Sequence, residues 1–274
     1  MTSELIFDSM KDSGVELARR IAKKHPLVHC IVPAVSASRV ANLLTACNAS
    51  PIMSDYPSES GQVTKRAQAL ALSLGMPSSH KTAAMQASAV HASNQKIPFV
   101  LDLTGIGVSD IRQSIANSLI YCHPAVIKGN LSELSFLCHA GGSGTIDADL
   151  EDAEQALCDK ELINSLKQYA IKKQTILVCT GKTDLLISQD GNLFTIYGGS
   201  EWMSRISGTG CMLNTLFAAA LSTCGSEPDE RIETTRQTLE LFKSWGEKAE
   251  KRMKPEDGCG SYWTYFLDAA TWKD

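Results

Sequence analysis

The sequence predicts an α/β protein whose central, mostly parallel β-sheet carries helices on both faces. Short apolar runs alternate with longer amphipathic stretches through most of the chain, and this alternation is typical of right-handed βαβ units. The 274 residues contain no internal repeat and no long low-complexity segment. A single α/β domain often reaches this length, so we expect residues 1–274 to form one domain.

The predicted elements follow one another in the order that βαβ units require. Apolar runs of strand length lie at residues 28–32, 69–74, 97–103, 125–128 and 175–180. Stretches of helical length lie between them at residues 36–47, 79–93, 109–121 and 150–172, with a flexible glycine-rich loop at 141–144. The dipeptide Asp190-Gly191 predicts a hairpin between strands at 184–189 and 192–197. Two long helices follow at about 211–224 and 229–251.

Composition and charge narrow the class of protein. The net charge of −4 gives no basic face for nucleic acid. No apolar run reaches the roughly 18 residues needed to span a bilayer, and the first ten residues lack the pattern of a signal peptide. The nine cysteines form no C-x-x-C pair, which favours reduced thiols in a core. We therefore expect a cytoplasmic protein that binds neither nucleic acid nor membrane.

A glycine-rich turn before an apolar helix is the sharpest local signal. Gly208 and Gly210 flank Thr209 and precede Cys211, so the backbone amides and the helix dipole converge on one spot that suits a phosphate or a developing anion. A cysteine at a helix start has its thiolate favoured, and Cys211 is therefore a candidate base or a group that orients a hydroxyl. The local sequence fits equally well a plain turn with Cys211 as a small core residue.

A second polar motif directly follows the predicted strand at 125–128. Lys128 at the strand end suits nucleotide phosphates, and Glu133 suits a hydrated magnesium ion. The alternative is purely structural, because Asn130 followed three residues later by Glu133 is the pattern of a helix capping box. This motif alone favours the capping box.

Two further polar segments follow predicted strands. Thr180 opens a loop at 180–184 that fits either a nucleotide contact or a simple turn. Asp102 lies among apolar residues at a strand end, where a carboxylate is costly unless a cation is near. The histidines are scattered with no ligand-like spacing, so we assign none to a metal.

These motifs, in this order, resemble the hydroxyethylthiazole kinase family of thiamine salvage. The segments that carry the resemblance are residues 26–31, 41–42, 49–53, 100–102, 128–133, 180–184, 208–211, 258–262 and 266–269. Together they span almost the whole chain. The resemblance implies a ribokinase-like fold and the phosphorylation of the hydroxyethyl arm of a thiazole by ATP with Mg²⁺.

The resemblance also implies roles for single residues. By matching position, the thiazole alcohol would be bound by Met53, Gly208 and Thr209, and ATP by Lys128 and Thr180. Mg²⁺ would be bound by Asp102 and Glu133. The anion hole would be formed by Gly208 and Gly210, and Cys211 would take the catalytic place beside the hydroxyl. The family typically forms trimers with sites at subunit boundaries, so the resemblance implies a homotrimer.

Three segments depart from the family pattern. Val32-Pro33 replaces Thr-Asn, Ser73-Leu74-Gly75-Met76 replaces Asn-Ile-Gly-Thr, and Asp102-Leu103-Thr104-Gly105 replaces Asp-Pro-Val-Gly. All three are expected on the substrate side, so another hydroxyalkyl heterocycle, a hydroxymethylpyrimidine or a pyridoxal-like compound, is an alternative acceptor. A ligand-binding protein without turnover is another alternative. A lyase or dehydratase on the same fold ranks last, because such proteins usually place aspartate at the position of Cys211.

Overall fold

One mixed β-sheet forms the centre of the protein. The computed structural model describes residues 3–139, 157 and 159–273, and its strands lie in the order β2-β1-β3-β4-β5-β6-β7-β8. The strands are β1 (Leu27–Ile31), β2 (Ser50–Ile52), β3 (Ala69–Ser73), β4 (Phe99–Asp102), β5 (Val126–Gly129), β6 (Ile176–Cys179), β7 (Asp184–Ile187) and β8 (Leu193–Ile196). Pairing is parallel from β2 to β6, and β7 and β8 add an antiparallel hairpin. The predicted mostly parallel sheet is confirmed.

Helices cover both faces of this sheet. They are α1 (Ser3–Lys24), α2 (Ala34–Ala46), α3 (Pro57–Arg66), α4 (Ser79–Gln95), α5 (Asp110–Ile120), α6 (Leu131–Leu137), α7 (Lys160–Lys173), α8 (Thr209–Leu221), α9 (Pro228–Glu250) and α10 (Cys259–Ala270). Short 3-10 turns lie at Ile106–Val108 and Glu201–Arg205. The sequence did not predict α1, β2, α3 or α10. The predicted loop at 141–144 and the start of the helix predicted at 150–172 lie outside the described residues.

The sheet separates two hydrophobic cores, and alternate side chains of β3 belong to one or the other. Ala69 and Ala71 belong to the core that contains α8, whereas Leu70 and Leu72 belong to the core that contains α4. Small side chains on the first face let α8 pack close to the sheet, where it is buried from its first turn to its end. Asn214 of α8 also donates a hydrogen bond to the carbonyl of Leu72 at 3.0 Å. The position of α8 over the sheet is therefore fixed by packing and by a polar contact.

The carboxyl ends of the parallel strands meet at one edge of the sheet, where ligands bind in open α/β folds. Ser73, Asp102 and Lys128 are register neighbours there, on β3, β4 and β5. Because directly paired residues point to the same face of a sheet, the three polar side chains lie together. The cysteines of the described residues are all free thiols. No helix in the described part is long and apolar enough to cross a membrane.

Ala71→Leu should test how closely α8 is packed. Extra methylenes between β3 and α8 overpack a filled core, so we expect a loss of about 1–3 kcal/mol in the free energy of unfolding. Urea denaturation followed by circular dichroism measures this loss. Ala83→Leu adds the same atoms at an exposed position of α4 and should leave stability nearly unchanged. Equal stability of the two variants would contradict close packing of α8 on β3.

Candidate active site

A buried ion pair lies at the centre of the strand ends. Lys128 Nζ lies 3.1 Å from Asp102 Oδ1, and both side chains are almost fully buried. The hydroxyls of Ser73 and Thr104 donate to Asp102 Oδ2 at 3.2 Å and 2.9 Å. Burial disfavours the ammonium, but the charges of Asp102 and Glu133 outweigh it and raise the pKa of Lys128. Lys128 is therefore a fixed cation at neutral pH.

Glu133 completes this cluster from the start of α6. Its two carboxylate oxygens accept hydrogen bonds from the amides of Gly105 at 2.7 Å and Asn130 at 2.8 Å. Asn130 Oδ1 accepts from the Glu133 amide at 2.8 Å, so the capping box is confirmed. Burial, and then the charge of Asp102, raise the pKa of Glu133, while Lys128 lowers it. The capping geometry itself aims this carboxylate at the cluster.

The cluster offers few ligands for a metal ion. In the part of the chain that the structure describes, no three His, Cys, Asp or Glu residues are grouped to hold one. Asp102 and Glu133 supply hard carboxylate oxygens, which suit Mg²⁺ when water and substrate phosphates fill the remaining positions. The donor set therefore fits a magnesium ion that binds together with a nucleotide, and it does not fit a resident metal.

The start of α8 faces the same cluster. Gly208 has a left-handed backbone with φ of 91°, and a Cβ at this position would lie 2.9 Å from the Cβ of Ser36. A Cβ on Gly210 would lie 3.4 Å from Lys128 Nζ. The first amides of a helix have no partner inside the helix and attract anions. The helix start and the Lys128 ammonium therefore create one positively polarised spot.

Cys211 lies in the first turn of α8 beside this spot. Burial, and then the charge of Asp102, raise the pKa of its thiol to about 11, although Ser36 and Lys128 act in the opposite direction. The prediction that the helix start favours the thiolate is therefore wrong. Burial is the largest cause of this shift, and the protonated thiol can orient a hydroxyl but is a poor base at neutral pH.

The loop predicted to contact nucleotide follows β6 at the next strand end. Thr180 donates through its amide and its hydroxyl to the carbonyl of Gly129, at 2.9 Å and 3.4 Å, which joins it to β5. Asp184 Oδ1 accepts from the Gly181 amide at 2.9 Å, and Asp184 Oδ2 lies 3.3 Å from Lys243 Nζ. Lys243 also donates to the carbonyls of Lys182 and Gly198. Lys243 of α9 therefore braces this loop.

The predicted acceptor-binding residues Met53 and Thr209 lie in different parts of the site, Met53 at the β2 end of the row of strands and Thr209 at the start of α8. Met53 directly follows β2 and is 40% exposed. The hydroxyl of Thr209 donates to the carbonyls of Met203 and Ile206, and its amide also donates to Ile206, at 3.4 Å. With strands about 4.8 Å apart, the strand ends from β2 to β6 extend over roughly 24 Å. This length leaves room for an acceptor and a nucleotide side by side.

Sequence reasoning missed three residues of the site. Ser36 lies beside Gly208 and Cys211, Lys243 braces the loop after β6, and Lys81 places a buried ammonium next to Val32. Each lies in a helix, where its sequence neighbours give no sign of burial. Lysine is almost never buried without a partner, so tertiary structure alone identifies Lys81 and Lys243.

Comparison with known proteins agrees with this geometry. The family model described as "Hydroxyethylthiazole kinase family" matches residues 18–272. The chain belongs to the hydroxyethylthiazole kinase family. The hydroxyethylthiazole kinase of Clostridium acetobutylicum is 31% identical over 255 residues, which is 92% of each chain. That of Enterococcus faecalis is 33% identical over 230 residues, covering 83% of this chain and 82% of the relative. The predicted family resemblance is confirmed.

Solved structures agree on the fold. The structure of a hydroxyethylthiazole kinase protein from Pyrococcus horikoshii OT3 matches with a TM-score of 0.77 at 27% identity, covering 94% of this chain and 92% of that one. An ADP/ATP-dependent NAD(P)H-hydrate dehydratase from Bacillus subtilis, co-crystallised with ATP/Mg²⁺, matches with a TM-score of 0.55 at 12% identity. The second match supports the fold alone. The predicted ribokinase-like class is confirmed.

The three segments that depart from the hydroxyethylthiazole kinase pattern all lie at the carboxyl ends of the strands. Ser73 and Thr104 both donate to Asp102, so two of the three departures serve the carboxylate at the centre of the site. Pro33 follows the end of β1 and packs against Gly75, which follows the end of β3; a Cβ on Gly75 would lie 2.4 Å from Pro33 Cγ. The departures therefore adjoin both the central carboxylate and the β1 end of the site.

Lys243→Met should weaken the nucleotide side of the site. It leaves the buried Asp184 carboxylate without its cation, which typically costs about 3–5 kcal/mol. We expect that loss in urea unfolding, together with a raised KM for ATP. Lys248→Met, at an exposed position of the same helix, is the matched control. Adding Asp184→Asn to Lys243→Met removes the stranded charge and should restore part of the stability; no restoration would contradict the bracing role.

Proposed function

We propose that this chain transfers the γ-phosphoryl group of ATP to the hydroxyl of 4-methyl-5-(2-hydroxyethyl)thiazole, as in thiamine salvage. The observation that carries the proposal is the buried Asp102–Lys128 pair facing the start of α8, within a chain of the hydroxyethylthiazole kinase family. Phosphoryl transfer depends mainly on positioning and on stabilising charge. A fixed cation beside the first turn of a helix supplies that stabilisation.

Lys128 and the glycine turn act on the transferred group. The ammonium lies beside Gly210, so the equatorial oxygens of a phosphoryl group bound there meet both the cation and the amides of the first turn. Their charge then develops against groups that are already oriented, which lowers the barrier without reorganisation. Thr180 and the loop braced by Lys243 would hold the rest of the nucleotide.

Asp102 and Glu133 would hold Mg²⁺. When bound, the ion would neutralise the phosphate charge that the two carboxylates would otherwise repel. Asp102 is shared between Lys128, Ser73 and Thr104, and this sharing keeps it oriented toward the phosphate side. Asp102 Oδ2 already accepts two hydrogen bonds, whereas Asp102 Oδ1 and both oxygens of Glu133 each keep a second lone pair for water or metal.

Cys211 would position the acceptor hydroxyl through its protonated thiol. A loose transition state asks little of a base, so alignment of the hydroxyl with the γ-phosphorus supplies most of the rate. Met53 would contact the thiazole ring from the β2 end. The chain is expected to act in the cytoplasm and to form a homotrimer, which size-exclusion chromatography with light scattering can measure.

The direct test is an assay of the purified chain with ATP, MgCl₂ and the thiazole alcohol. ADP formation and a phosphate ester detected by mass spectrometry are expected. Hydroxymethylpyrimidine and pyridoxal serve as the other acceptors. Turnover of either of these compounds without turnover of the thiazole would contradict the assignment. Calorimetric binding of thiazole and ATP without any product would instead identify a ligand-binding protein.

Gly210→Asp should nearly abolish turnover. The new carboxylate would lie next to Lys128 and cancel the positive spot, so we expect kcat to fall by about 100-fold or more, as for loss of an oxyanion-hole donor. Gly210→Ala adds only a Cβ at ordinary contact distance from Lys128 Nζ and separates size from charge. Steady-state kinetics of both variants should give a much lower kcat for the aspartate. An equal loss of kcat in Gly210→Asp and Gly210→Ala would contradict the argument from charge.

Cys211 should contribute no ionisation between pH 6 and pH 8. Its pKa of about 11 lies above this window, so the thiol stays protonated throughout and cannot shape the kcat profile there. Cys211→Ser keeps a hydroxyl donor and should keep the shape of the profile, while Cys211→Ala should lower kcat less than Gly210→Asp does. A rise of kcat with pH that Cys211→Ser abolishes would show that the thiolate acts.

A further inference from the structure

Lys81 is a buried lysine whose ammonium has one hydrogen-bond partner among the described residues. Its residue is 7% exposed, and Nζ donates to the carbonyl of Val32 at 3.2 Å. The other buried lysines, Lys128 and Lys243, each pair with a carboxylate. Among the described residues no carboxylate lies within 4.0 Å of the Lys81 ammonium. An ammonium has three donors, so most of its hydrogen-bonding capacity is unused.

The position of Lys81 opposes its charge in two ways. It lies in the first turn of α4, which has no acidic residue there, and the positive end of a helix dipole disfavours a cation. Burial lowers the pKa of the ammonium, and the charge of Asp55 acts in the opposite direction. A single carbonyl contact returns little of this cost. A role in folding therefore explains the residue poorly.

The surroundings of the ammonium place it in the acceptor end of the crevice. Val32 lies at the end of β1, directly before Pro33, which packs on Gly75 at the end of β3. The ammonium lies close enough to Asp55, two residues beyond Met53, and to Cys211 for the charged forms of both side chains to raise its pKa. The ammonium is thus flanked by the loop proposed to bind the acceptor ring and by the residue proposed to position its hydroxyl.

This inference rests on the proposed function and specifies its acceptor. We propose that Lys81 Nζ binds a carboxylate carried on the ring of the acceptor alcohol, so that the preferred acceptor is an anionic hydroxyalkyl heterocycle. On the thiazole, positions 4 and 5 carry the methyl and hydroxyethyl groups, and C2 is the free ring carbon. The 2-carboxylate of the thiazole alcohol is therefore the simplest probe of this chemistry.

The probe set separates charge from size. The 2-carboxylate, the neutral 2-carboxamide and the unsubstituted alcohol are compared as acceptors of the full chain by kcat/KM. A charged hydrogen bond supports at least about a tenfold preference for the carboxylate over the carboxamide. Lys81→Met keeps the apolar stem and removes the charge, and it should abolish that preference. Lys65→Met, at an exposed position of α3, should retain it.

Two results would overturn the inference. One is a native chain that does not prefer the carboxylate. The other is a preference that survives in Lys81→Met, since the ammonium would then not be its source. Lys81→Gln serves as a second neutral variant if Lys81→Met fails to fold by thermal melting, and the selectivity of the native chain decides the matter without any variant.

Calorimetry keeps this inference separate from the proposed function. Affinities of the carboxylate and the carboxamide are measured with ADP and MgCl₂ present, so that no turnover is needed. Selective binding of the carboxylate without phosphorylation of any of the three probes would support the role of Lys81 and contradict the kinase assignment. Phosphorylation of the unsubstituted alcohol with no preference for the carboxylate would support the kinase assignment and contradict the role of Lys81.

Discussion

The buried ion pair between Asp102 and Lys128 is the interaction on which the rest of the site depends. The removal of either partner strands a charge in the core, which costs far more than the pair itself returns. The pair exists because β4 and β5 are in register, and the neighbouring strand end adds the Ser73 hydroxyl to the same carboxylate. The sheet therefore supplies a cation of fixed position to the start of α8, where a phosphate would bind.

The charge of the Asp102 carboxylate acts, together with burial, on the protonation states of Lys128 and Cys211. The charge of Asp102 helps to keep Lys128 cationic and at the same time helps to hold the Cys211 thiol in its neutral form. A site arranged in this way favours charge stabilisation over proton abstraction, which is what a loose phosphoryl-transfer transition state requires. The protonation states of the cysteine and of the lysine thus both depend on the charge of Asp102.

The sequence predicts the central strands well, because buried parallel strands are short continuous apolar runs. The run predicted at 175–180, for example, is β6 (Ile176–Cys179). The edge strand β2 has three half-buried residues, too few for any pattern. Motifs predict Asp102, Lys128 and Glu133 because they follow apolar runs. Lys81 has no such signal, since its burial arises only when α4 packs beside the end of β1.

The order of charges along the strand ends gives the acceptor proposal a mechanistic reason. Lys81 lies near the end of β1, Asp102 at the end of β4, and Lys128 at the end of β5, so a cation stands on each side of the central carboxylate. An anionic acceptor approaching ATP would otherwise be repelled. The repulsion between two like unit charges is about 4 kcal/mol at a separation of about 4 Å and an effective dielectric constant near 20. A cation reserved for the acceptor offsets that repulsion before the hydroxyl meets the γ-phosphate. Lys128 alone cannot do this, because Asp102 and the phosphate already share its charge.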